Sequence, residues 1–571
     1  MKRKQILSIV LAAAMSVTLF AGCGQKNEES KVQESGSQVV SSQTQGSTEQ
    51  AGEEDPYKDV RISDEVVTLT VAASSGATAQ NWNDTLQFAE YEKRLGIKFD
   101  ATTYTSEQWN SKLTLMMASD EMPDIVVGMG SRSEVQKYAD EGYLLDFSQY
   151  LDIMPNLSRL MEEYPAYAKA ITYDDGKIYG FTMLNNFGKV ARVEYMFMSQ
   201  TWLDNVGMER PKTLDEFYEV LKAFKEKDAN GNGDPDDEIP MAYATNRRWS
   251  EIPIRYAFGI ESNEEVVMWR ADENGKVGLW ESTDNYKDFL KFMHKLYTEK
   301  LMNDDAFVVD GAENDARGKE GKVGYIANVA EVGNTKELQD QFQWFELAGL
   351  TQEGYQDENV MVLTNNIGSG VNFVANANTE HPEVIAKFVD YLFTPEGSLS
   401  GGNGYADVTF DWIDVDGFPI CDHGKKAEEA GMTQVDYRNK YLALGCFRFY
   451  LDPAGTIYDM LANADIEKLT DTNTDVWATT TVNALRAEAT RRSDVVVKDP
   501  FPVLYYTDAE ATERATIVTD LSSYLKNMKA QFITGEIDID SNWDGYLKKM
   551  DEMGLPKLLE IDQAAYDRYN K

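Results

Sequence analysis

The sequence predicts an α/β fold in which successive β–α–β units are grouped into two lobes. Residues 65–73 are rich in β-branched side chains that alternate along the chain, which is typical of a first strand. Residues 97–104 form a second strand after an amphipathic segment that Gly96 ends. Residues 125–128 follow Pro123 as a short apolar strand of the kind that parallel sheets bury. Strands separated by helices indicate parallel pairing with right-handed crossovers.

Helix signals occupy the segments between and after these strands. Thr105 with Gln108, and Thr213 with Glu216, each form a capping box, in which two side chains satisfy backbone N–H groups at the start of a helix. Further helices are predicted over residues 286–301, 382–393 and 512–533. Trp109 lies on one face of the helix that begins after Thr105, so we assign it to the core. No solenoid-type period recurs along the sequence.

The composition excludes several classes of protein. The 571 residues carry 55 Lys and Arg against 96 Asp and Glu, so the formal charge is −41. This balance argues against a nucleic-acid partner, because phosphate neutralisation requires clustered cations. A hydrophobic fraction of 42% supports a large folded core. Three His and three Cys leave few ligands for a zinc enzyme and few bridges for a disulfide scaffold.

The N-terminal residues predict export and lipid attachment. Cations at positions 2–4 precede a 16-residue apolar run over residues 6–21. That run is shorter than the ~20 residues that span a bilayer and is typical of a signal peptide. It ends at Ala-Gly-Cys23, which resembles a bacterial lipobox, although Phe20 stands where Leu is usual. The resemblance implies that residues 1–22 are removed and that Cys23 becomes a diacylated, palmitate-bearing N-terminus. The alternative is an ordinary signal peptide followed by a chance cysteine.

Residues 23–62 predict a disordered tether between the lipid and the folded body. The segment is rich in Ser, Gln, Glu and Gly and has no apolar periodicity, so it cannot bury enough surface to offset its ordering entropy. With an r.m.s. reach of ~5–6 Å × √n, it holds the body ~35 Å from a membrane. Residues 63–571 form the folded body, in which Cys421 and Cys446 either pair or remain as buried free thiols.

Seven segments of the folded body match a known family in the family's own order. They are residues 109–127, 175–181, 200–207, 211–240, 381–397, 532–546 and 553–569. On these segments the chain resembles the extracellular solute-binding lipoproteins, family 1, of carbohydrate importers in Gram-positive bacteria. Within that family it is similar to the alginate- and oligosaccharide-binding branch. Trp202 and Trp543 lie inside two of the matched segments, in stretches typical of packing, so they too are expected in the core.

The resemblance implies a two-lobed, periplasmic-binding-protein-like (Venus flytrap) fold of type II. Lobe 1 is expected over residues 63–188 with a later segment near 360–450, and lobe 2 over residues 189–359 with the C-terminal helices. The resemblance also implies a protein that is not an enzyme. Such a protein captures an oligosaccharide and delivers it to the permease subunits of an ABC importer, from the extracellular face of the cell membrane.

Residues 228–238 predict a structural calcium loop. Short oxygen-bearing side chains occupy positions 1, 3 and 5, and Gly233 at position 6 permits the sharp turn of an EF-hand-like loop. Position 12 is Ile239 instead of the usual bidentate Glu, and the family resemblance implies closure by the pair Asp237 and Glu238. The expected calcium ligands are Asp228, Asn230, Asn232, Asp234, Asp236, Asp237 and Glu238. A solvated acidic turn between a helix and a strand is the alternative.

Three loops carry the candidate ligand-binding residues. Ligands of α/β sheets bind beyond the carboxyl ends of the strands, and residues 82–83 and 131–132 follow predicted strands. Residues 247–249 place two cations beside an indole in an acidic chain, so they either clamp an acidic or hydroxyl-rich ligand or brace the surface. Sugar rings stack on aromatic faces, while polar side chains bind their hydroxyls. The expected contacts are Trp82, Asn83, Ser131, Arg132, Arg248 and Trp249.

The sequence leaves two other functions open. A secreted glycoside hydrolase needs a facing pair of carboxyl groups, and 96 acidic residues provide any spacing by chance. A peptide-binding importer component is the other alternative, although its characteristic motifs are not those matched. The sequence has no GxSxG, GxGxxG or P-loop motif, and no His lies in an HExxH context.

Overall fold

The computed structural model describes residues 61–570 apart from residues 76–79, 120, 174, 187–195, 235, 328–340, 348, 363–366, 416–417, 445 and 453–494. The predicted signal peptide, Cys23 and nearly all of the predicted tether lie outside these residues. No helix within the described residues is both long and apolar enough to cross a membrane.

Strands and helices alternate along much of the described chain, as the sequence predicts. The strands are β1 (Val67–Ser74), β2 (Ile97–Tyr104), β3 (Ile125–Ser131), β4 (Gly180–Asn185), β5 (Met196–Ser199), β6 (Ile239–Met241), β7 (Trp269–Ala271), β8 (Val277–Leu279), β9 (Val323–Ala327), β10 (Trp344–Glu346), β11 (Asn359–Val362), β12 (Ile367–Ala375), β13 (Asp411–Val415), β14 (Phe418–Asp422), β15 (Tyr450–Leu451) and β16 (Val495–Lys498). The three strands predicted from the sequence are confirmed as β1, β2 and β3.

Beside the strands, which form a six-stranded, a four-stranded and three two-stranded sheets, the described chain contains seventeen α-helices. They are α1 (Leu86–Leu95), α2 (Ser106–Ala118), α3 (Arg132–Asp140), α4 (Pro155–Glu163), α5 (Pro165–Ile171), α6 (Gln200–Val206), α7 (Leu214–Glu226), α8 (Ile252–Ala257), α9 (Asp284–Thr298), α10 (Gly311–Lys319), α11 (Pro382–Leu392), α12 (Pro395–Asn403), α13 (Gly424–Glu429), α14 (Gln434–Tyr441), α15 (Asp508–Thr534), α16 (Ile539–Glu552) and α17 (Leu555–Tyr569). The three later helices predicted from the sequence are confirmed as α9, α11 and α15, each within a few residues of the predicted ends.

A six-stranded sheet forms the centre of the first lobe, in the order β15-β4-β12-β3-β1-β2. β1 pairs in parallel with β2 and β3, whereas β12 runs antiparallel to β3 and β4. Leu69, Val71 and Ala73 enter one hydrophobic core, while Ala72 between them enters a second core on the opposite face. Because successive strand side chains point to opposite faces, this apolar strand is covered by helices on both sides.

A four-stranded sheet forms the centre of the second lobe, in the order β10-β5-β9-β6. Its core includes the fully buried side chains of Trp202 and Phe224, whose rings pack edge to face with centroids 5.2 Å apart. The same core takes side chains from α15, α16 and α17, including Phe532 and Trp543. The C-terminal helices therefore belong to the second lobe. The core positions predicted for Trp109, Trp202 and Trp543 are confirmed, since each is at least nine-tenths buried.

Both predicted capping boxes are present. The hydroxyl of Thr105 accepts the N–H of Gln108 at 3.3 Å, and that of Thr213 accepts the N–H of Glu216 at 3.2 Å. Each cap contributes about 1 kcal/mol, because it satisfies a donor that the helix leaves open. Two further boxes start α3 and α15. Cys421 and Cys446 are both free thiols in this structure.

Candidate ligand-binding cleft

A cavity of about 720 Å³ lies between the two lobes, and we call it the inter-lobe cavity. Its first wall consists of residues of α3 together with Lys169, Thr172, Tyr173 and Asp175, all of which belong to the first lobe. Its second wall consists of residues 505–507, which directly precede α15, of Ala509 in the first turn of α15, and of residues near the end of α17. The volume falls within the ~300–1,000 Å³ of small-molecule sites. A ligand in this cavity contacts both lobes.

Arg132 reaches the inter-lobe cavity because β3 ends immediately before it. Gly130, with φ at +111°, turns the chain at the end of the strand. The hydroxyl of Ser131 then accepts the N–H of Glu134 at 3.3 Å, and the Glu134 carboxylate accepts the N–H of Ser131 at 2.7 Å. This capping box fixes the start of α3 at the sheet edge where ligands of α/β folds bind. Ser131 thus caps the helix, whereas Arg132 lines the cavity.

Hydrogen bonds and aromatic rings fix the guanidinium group of Arg132. Its two terminal nitrogens donate to the carbonyl oxygens of Ala170 and Thr172, each at 2.5 Å. The rings of Tyr173 and Tyr505 pack against it, with their centroids 4.0 and 4.7 Å from the guanidinium carbon. A planar cation is suited to both kinds of contact at once. The cation therefore joins the two walls of the cavity.

The hydroxyl of Tyr173 is buried in the first wall and has no hydrogen-bond partner within the described structure. A buried hydroxyl without a partner costs ~1–3 kcal/mol, so a partner supplied by a ligand is favourable there. Burial raises the pKa of Tyr173, and it raises the pKa of Tyr505 to about 12. Both hydroxyls therefore keep their protons at neutral pH and are able to donate hydrogen bonds.

The rest of the lining combines aromatic and polar groups. Tyr506 and Tyr569 add two more rings in the second wall. Lys169 crosses the cavity, and its Nζ donates to the backbone oxygen of Tyr569 at 2.7 Å. Flat apolar faces with polar groups between them are what sugar rings require. The inter-lobe cavity thus has the chemistry of a carbohydrate site.

Asp175 is a carboxylate in the first wall whose ionised form is stabilised. Burial opposes its ionisation, but the Tyr179 hydroxyl at 2.7 Å and the N–H of Lys177 at 3.1 Å donate to it. These hydrogen bonds outweigh the burial and hold the pKa of Asp175 below its usual value. A general acid in a glycosidase needs the opposite shift.

A second cavity, of about 620 Å³, lies on the other side of Tyr506, which lines both cavities. Its wall includes Trp269 and Phe501, whose rings stack with centroids 6.3 Å apart. The guanidinium carbon of Arg514 lies 5.5 Å from the centroid of Trp269 and 4.5 Å from that of Tyr506. We call this space the second cavity.

The structure corrects the expectation for Trp82 and Asn83. Trp82 is only 1% exposed and packs in the core of the first lobe. The side chain of Asn83 accepts the N–H of Ala101 at 2.7 Å and donates to the Ala101 oxygen at 3.1 Å. The short 3₁₀ helix Trp82–Asp84 turns the indole inward, so its ring is not available for stacking. Both residues stabilise the connection between β1 and α1.

The side chains of Arg248 and Trp249 lie outside the described part of the chain. Their backbone belongs to the 3₁₀ helix Thr245–Glu251 of the second lobe. The prediction that they contact a ligand stays a prediction.

Hydrogen bonds close the predicted calcium loop. The amide of Asn232 donates to both carboxylate oxygens of Asp237, at 3.2 and 3.1 Å, and the N–H of Ala229 donates to Glu238 at 3.0 Å. The N–H of Gly233 donates to the other end of the loop, at Asp228, over 2.9 Å. Within the described residues, no three acidic, His or Cys side chains converge as a formed metal site does.

Two carboxylate oxygens of this loop nevertheless fit a cation. Oδ1 of Asp228 and Oε2 of Glu238 are buried and have no hydrogen-bond partner within the described structure. Burial raises the pKa of Glu238, and a cation beside this carboxylate would favour its ionised form. Oxygen ligands of this kind are those that Ca²⁺ prefers. The loop therefore has a donor set that suits calcium.

The tyrosines of the cleft were not predicted from the sequence, where Trp residues alone were candidates for stacking. A local signal was present: Tyr505 and Tyr506 directly precede Thr507 and Glu510, which form the capping box of α15. Aromatic residues just before a helix start lie at a loop, where binding residues concentrate.

Comparisons with known proteins agree with this architecture. The family model described as bacterial extracellular solute-binding protein matches residues 87–406. The fructooligosaccharide ABC transporter substrate-binding protein FusA of Streptococcus pneumoniae is 26% identical over 524 residues, which cover 87% of this chain and 90% of that protein. Lipoprotein LipO of Bacillus subtilis is 34% identical over 242 residues, which cover 42% of this chain and 45% of that protein.

A solved structure shares the fold. It is the S. pneumoniae FusA EF-hand mutant in complex with fructo-nystose, which is 23% identical and superposes with a TM-score of 0.64. The match covers 88% of this chain and 99% of that structure. The two-lobed α/β fold that the resemblance implied is thereby confirmed.

Proposed function

Because this chain belongs to the bacterial extracellular solute-binding protein family, we propose that it is the substrate-binding component of an ABC importer that captures an oligosaccharide. The family match covers more than half of the chain, and the relative with the longest alignment reported above serves a fructooligosaccharide importer. The observation that carries the proposal is the tyrosine-lined cavity between the lobes. Its partners are the permease subunits that accept the sugar.

Binding in this cleft couples the ligand to the position of the lobes. Tyr173 and Arg132 lie on the first lobe, whereas Tyr505 and Tyr569 lie on the second. A ligand shifts an equilibrium between open and closed forms only through its different affinity for the two. An oligosaccharide that contacts both walls has that difference, because an open cleft offers it one wall at a time. The closed form then presents the loaded protein to the permease.

The proposed role is binding without chemistry. The family and its relatives are binding proteins, and the pKa of Asp175, a carboxylate of the cleft, is shifted away from that of a general acid. The aromatic lining favours sugar rings over an extended peptide, which would need a row of backbone partners. No observation specifically favours a glycosidase or a peptide-binding importer component.

We further propose that residues 228–238 hold a structural calcium ion. The residues that would hold it are the predicted ligands, with Asp228 and Glu238 offering buried oxygens that have no other partner. The bound ion would neutralise the acidic side chains and fix the connection between α7 and β6. The EF-hand variant of FusA indicates that such a loop occurs in a relative.

The location proposed for the protein is the extracellular face of a Gram-positive cell membrane, with Cys23 lipidated. The cationic start, the apolar run and Ala-Gly-Cys23 support this, as does the similarity to a lipoprotein. One acyl chain binds a membrane only marginally, so stable anchoring takes at least two. Fractionation of the Cys23→Ser variant tests the anchor, because a variant that stays with the membrane unchanged contradicts lipidation at this residue.

A glycan array followed by calorimetry tests the sugar-binding function. The purified protein is screened against fructo-oligosaccharides and other oligosaccharide series, and the best series is titrated against wild type and Tyr173→Phe. We expect Tyr173→Phe to bind about fivefold to tenfold more weakly, because one hydrogen bond contributes ~1 kcal/mol. Tyr218→Phe is the matched control, since its hydroxyl bonds Glu299 away from both cavities.

Two results contradict the proposal. The first is that no oligosaccharide binds the wild-type protein. The second is that the sugar recovered after incubation is shorter than the sugar added, which would make the protein a glycosidase.

A further inference from the structure

The second cavity is a separate feature of the cleft that the proposed function does not need. Residues 500–504 line the second cavity, Tyr506 lines both cavities, and residues 505 and 507 line the inter-lobe cavity. One uninterrupted segment outside helices and strands thus runs along both spaces. Eight residues span at most ~29 Å when fully extended, so the two cavities lie within reach of one elongated ligand.

The junction between the cavities is rigid. The Tyr506 hydroxyl donates to Asp562 at 2.5 Å, and Nε of Arg514 donates to the same carboxylate at 3.1 Å. Asp562 is fully buried, and Arg514 also packs on the rings of Tyr506 and Trp269. Each ring at the junction is therefore held before any ligand arrives, which lowers the entropy cost of binding.

The second cavity has the same kind of lining as the first. Trp269 and Phe501 supply stacked rings, and Asn263, Glu264 and Ser522 line it together with them. Together the two cavities exceed the ~300–1,000 Å³ of an ordinary small-ligand pocket. A disaccharide-sized ligand would leave one of them to water.

We propose that the second cavity is a distal subsite of the same cleft, so that the preferred ligand is an oligosaccharide long enough to pass Tyr506 and stack on Trp269. The inference rests on the proposed function, because it takes a sugar in the inter-lobe cavity as given. Tyr506 then marks the point where a short ligand ends and a long one continues.

Calorimetry with a short and a long member of one sugar series tests this inference. The probes are kestose and a longer fructo-oligosaccharide, or the equivalent pair from the series that the array identifies. In the wild type we expect the long sugar to bind about tenfold more tightly than the short one. In Trp269→Ala the long sugar should fall to the affinity of the short one, while the short sugar binds as before.

Two further variants make the test decisive. Ser522→Trp fills the second cavity from α15 without removing a ring, so it should abolish the advantage of length even if Trp269→Ala fails to fold. Trp412→Ala is the matched control, because this Trp is 47% exposed on the β13–β14 hairpin and lines neither cavity.

The outcomes separate this inference from the proposed function. Equal affinity of the short and long sugars for the wild type overturns the distal subsite and leaves sugar binding intact. An advantage of length that persists in Ser522→Trp also overturns it. Absence of binding by either sugar from any series contradicts the proposed function itself.

Discussion

The guanidinium carbon of Arg132 lies 4.7 Å from the ring centroid of Tyr505, and this contact joins the two lobes. Arg132 begins α3 of the first lobe. Tyr505 leads into α15, whose side chains enter the core of the second lobe. The contact lies in the wall of the inter-lobe cavity. A movement of one lobe relative to the other would therefore change this pair.

Replacing Arg132 with Lys should weaken sugar binding about tenfold. Lys keeps the charge but lacks the planar fork that donates to Ala170 and Thr172 while it packs on the rings. Without the guanidinium the rings of Tyr173 and Tyr505 would lose the group that they pack against. We expect the resulting displacement to cost ~1–2 kcal/mol of binding free energy. Calorimetry measures the affinity, and a thermal melt checks that the variant is folded.

Arg159→Lys is the control for this change, because Arg159 pairs with Glu163 on the surface of α4. Its affinity should equal that of the wild type. An Arg132→Lys protein with unchanged affinity would show that the contact between the lobes does not contribute to the site.

The elements that the sequence predicts well are those whose signals are local. The capping boxes at Thr105 and Thr213 lie within four residues, and Gly96 ends α1 in the left-handed conformation that favours glycine. The membership of β12 and β15 in the first sheet depends on pairing with strands far away in sequence. No local pattern encodes that pairing, because the paired strands are far apart in sequence and the residues of one strand do not indicate which other strand it will meet.

The site was harder to predict than the fold for a related reason. Trp82 follows a strand, as many binding residues do, but the caps at Asn81 and Thr85 tighten the loop into a 3₁₀ turn and bury the ring. Tyr505 is distant from Arg132 in sequence and meets it only through the packing of α15 on the core of the second lobe. Position after a strand predicted a ligand contact for Arg132, which lines the inter-lobe cavity, because the edge of a sheet is a property of the topology.

Calcium should raise the melting temperature of the protein, and a chelator should lower it. When the free calcium concentration is about 100 times the dissociation constant, binding stabilises the folded state by ~2.7 kcal/mol. Asp228→Ala or Glu238→Ala should abolish the difference, because each removes a buried oxygen that has no other partner. Differential scanning calorimetry with calcium and with chelator measures the shift.

The control for the calcium loop is Asp272→Ala. Asp272 accepts the N–H groups of Asn274 and Lys276, each at 2.9 Å, in the turn between β7 and β8. Its loss should lower the melting temperature and leave the response to calcium unchanged. Identical melts of the wild type with and without calcium would support the acidic-turn alternative.

Stability should fall as the pH rises from about 5 to about 8, in part because of Glu281. Burial raises the pKa of Glu281 from 4.5 to about 7, although the N–H of Met268 donates to both carboxylate oxygens at 3.0 Å. Between those values the folded state binds more protons than the unfolded state, so the free energy of unfolding decreases with pH. Over this pH range the ionisation of Glu281 lowers the free energy of unfolding by ~3 kcal/mol.

Urea unfolding at several pH values tests this dependence. In Glu281→Gln the decline should be smaller by that amount, because the Gln side chain does not ionise. Glu320→Gln, which removes a surface carboxylate paired with Lys322, should follow the wild type. Parallel curves for wild type and Glu281→Gln would show that Glu281 titrates alike in both states.

Replacing Trp82 should lower stability and leave sugar affinity unchanged, which separates the core from the cleft. Trp82 is 1% exposed and lies in the core of the first lobe, so Trp82→Ala creates a cavity that lowers the free energy of unfolding by ~3–5 kcal/mol. Trp82→Phe fills most of that space and should cost less, which keeps a folded protein for titration. Urea midpoints and calorimetry on both variants measure the two quantities. A loss of sugar affinity in a fully folded Trp82→Phe protein would return this residue to the binding site and contradict its assignment to the core.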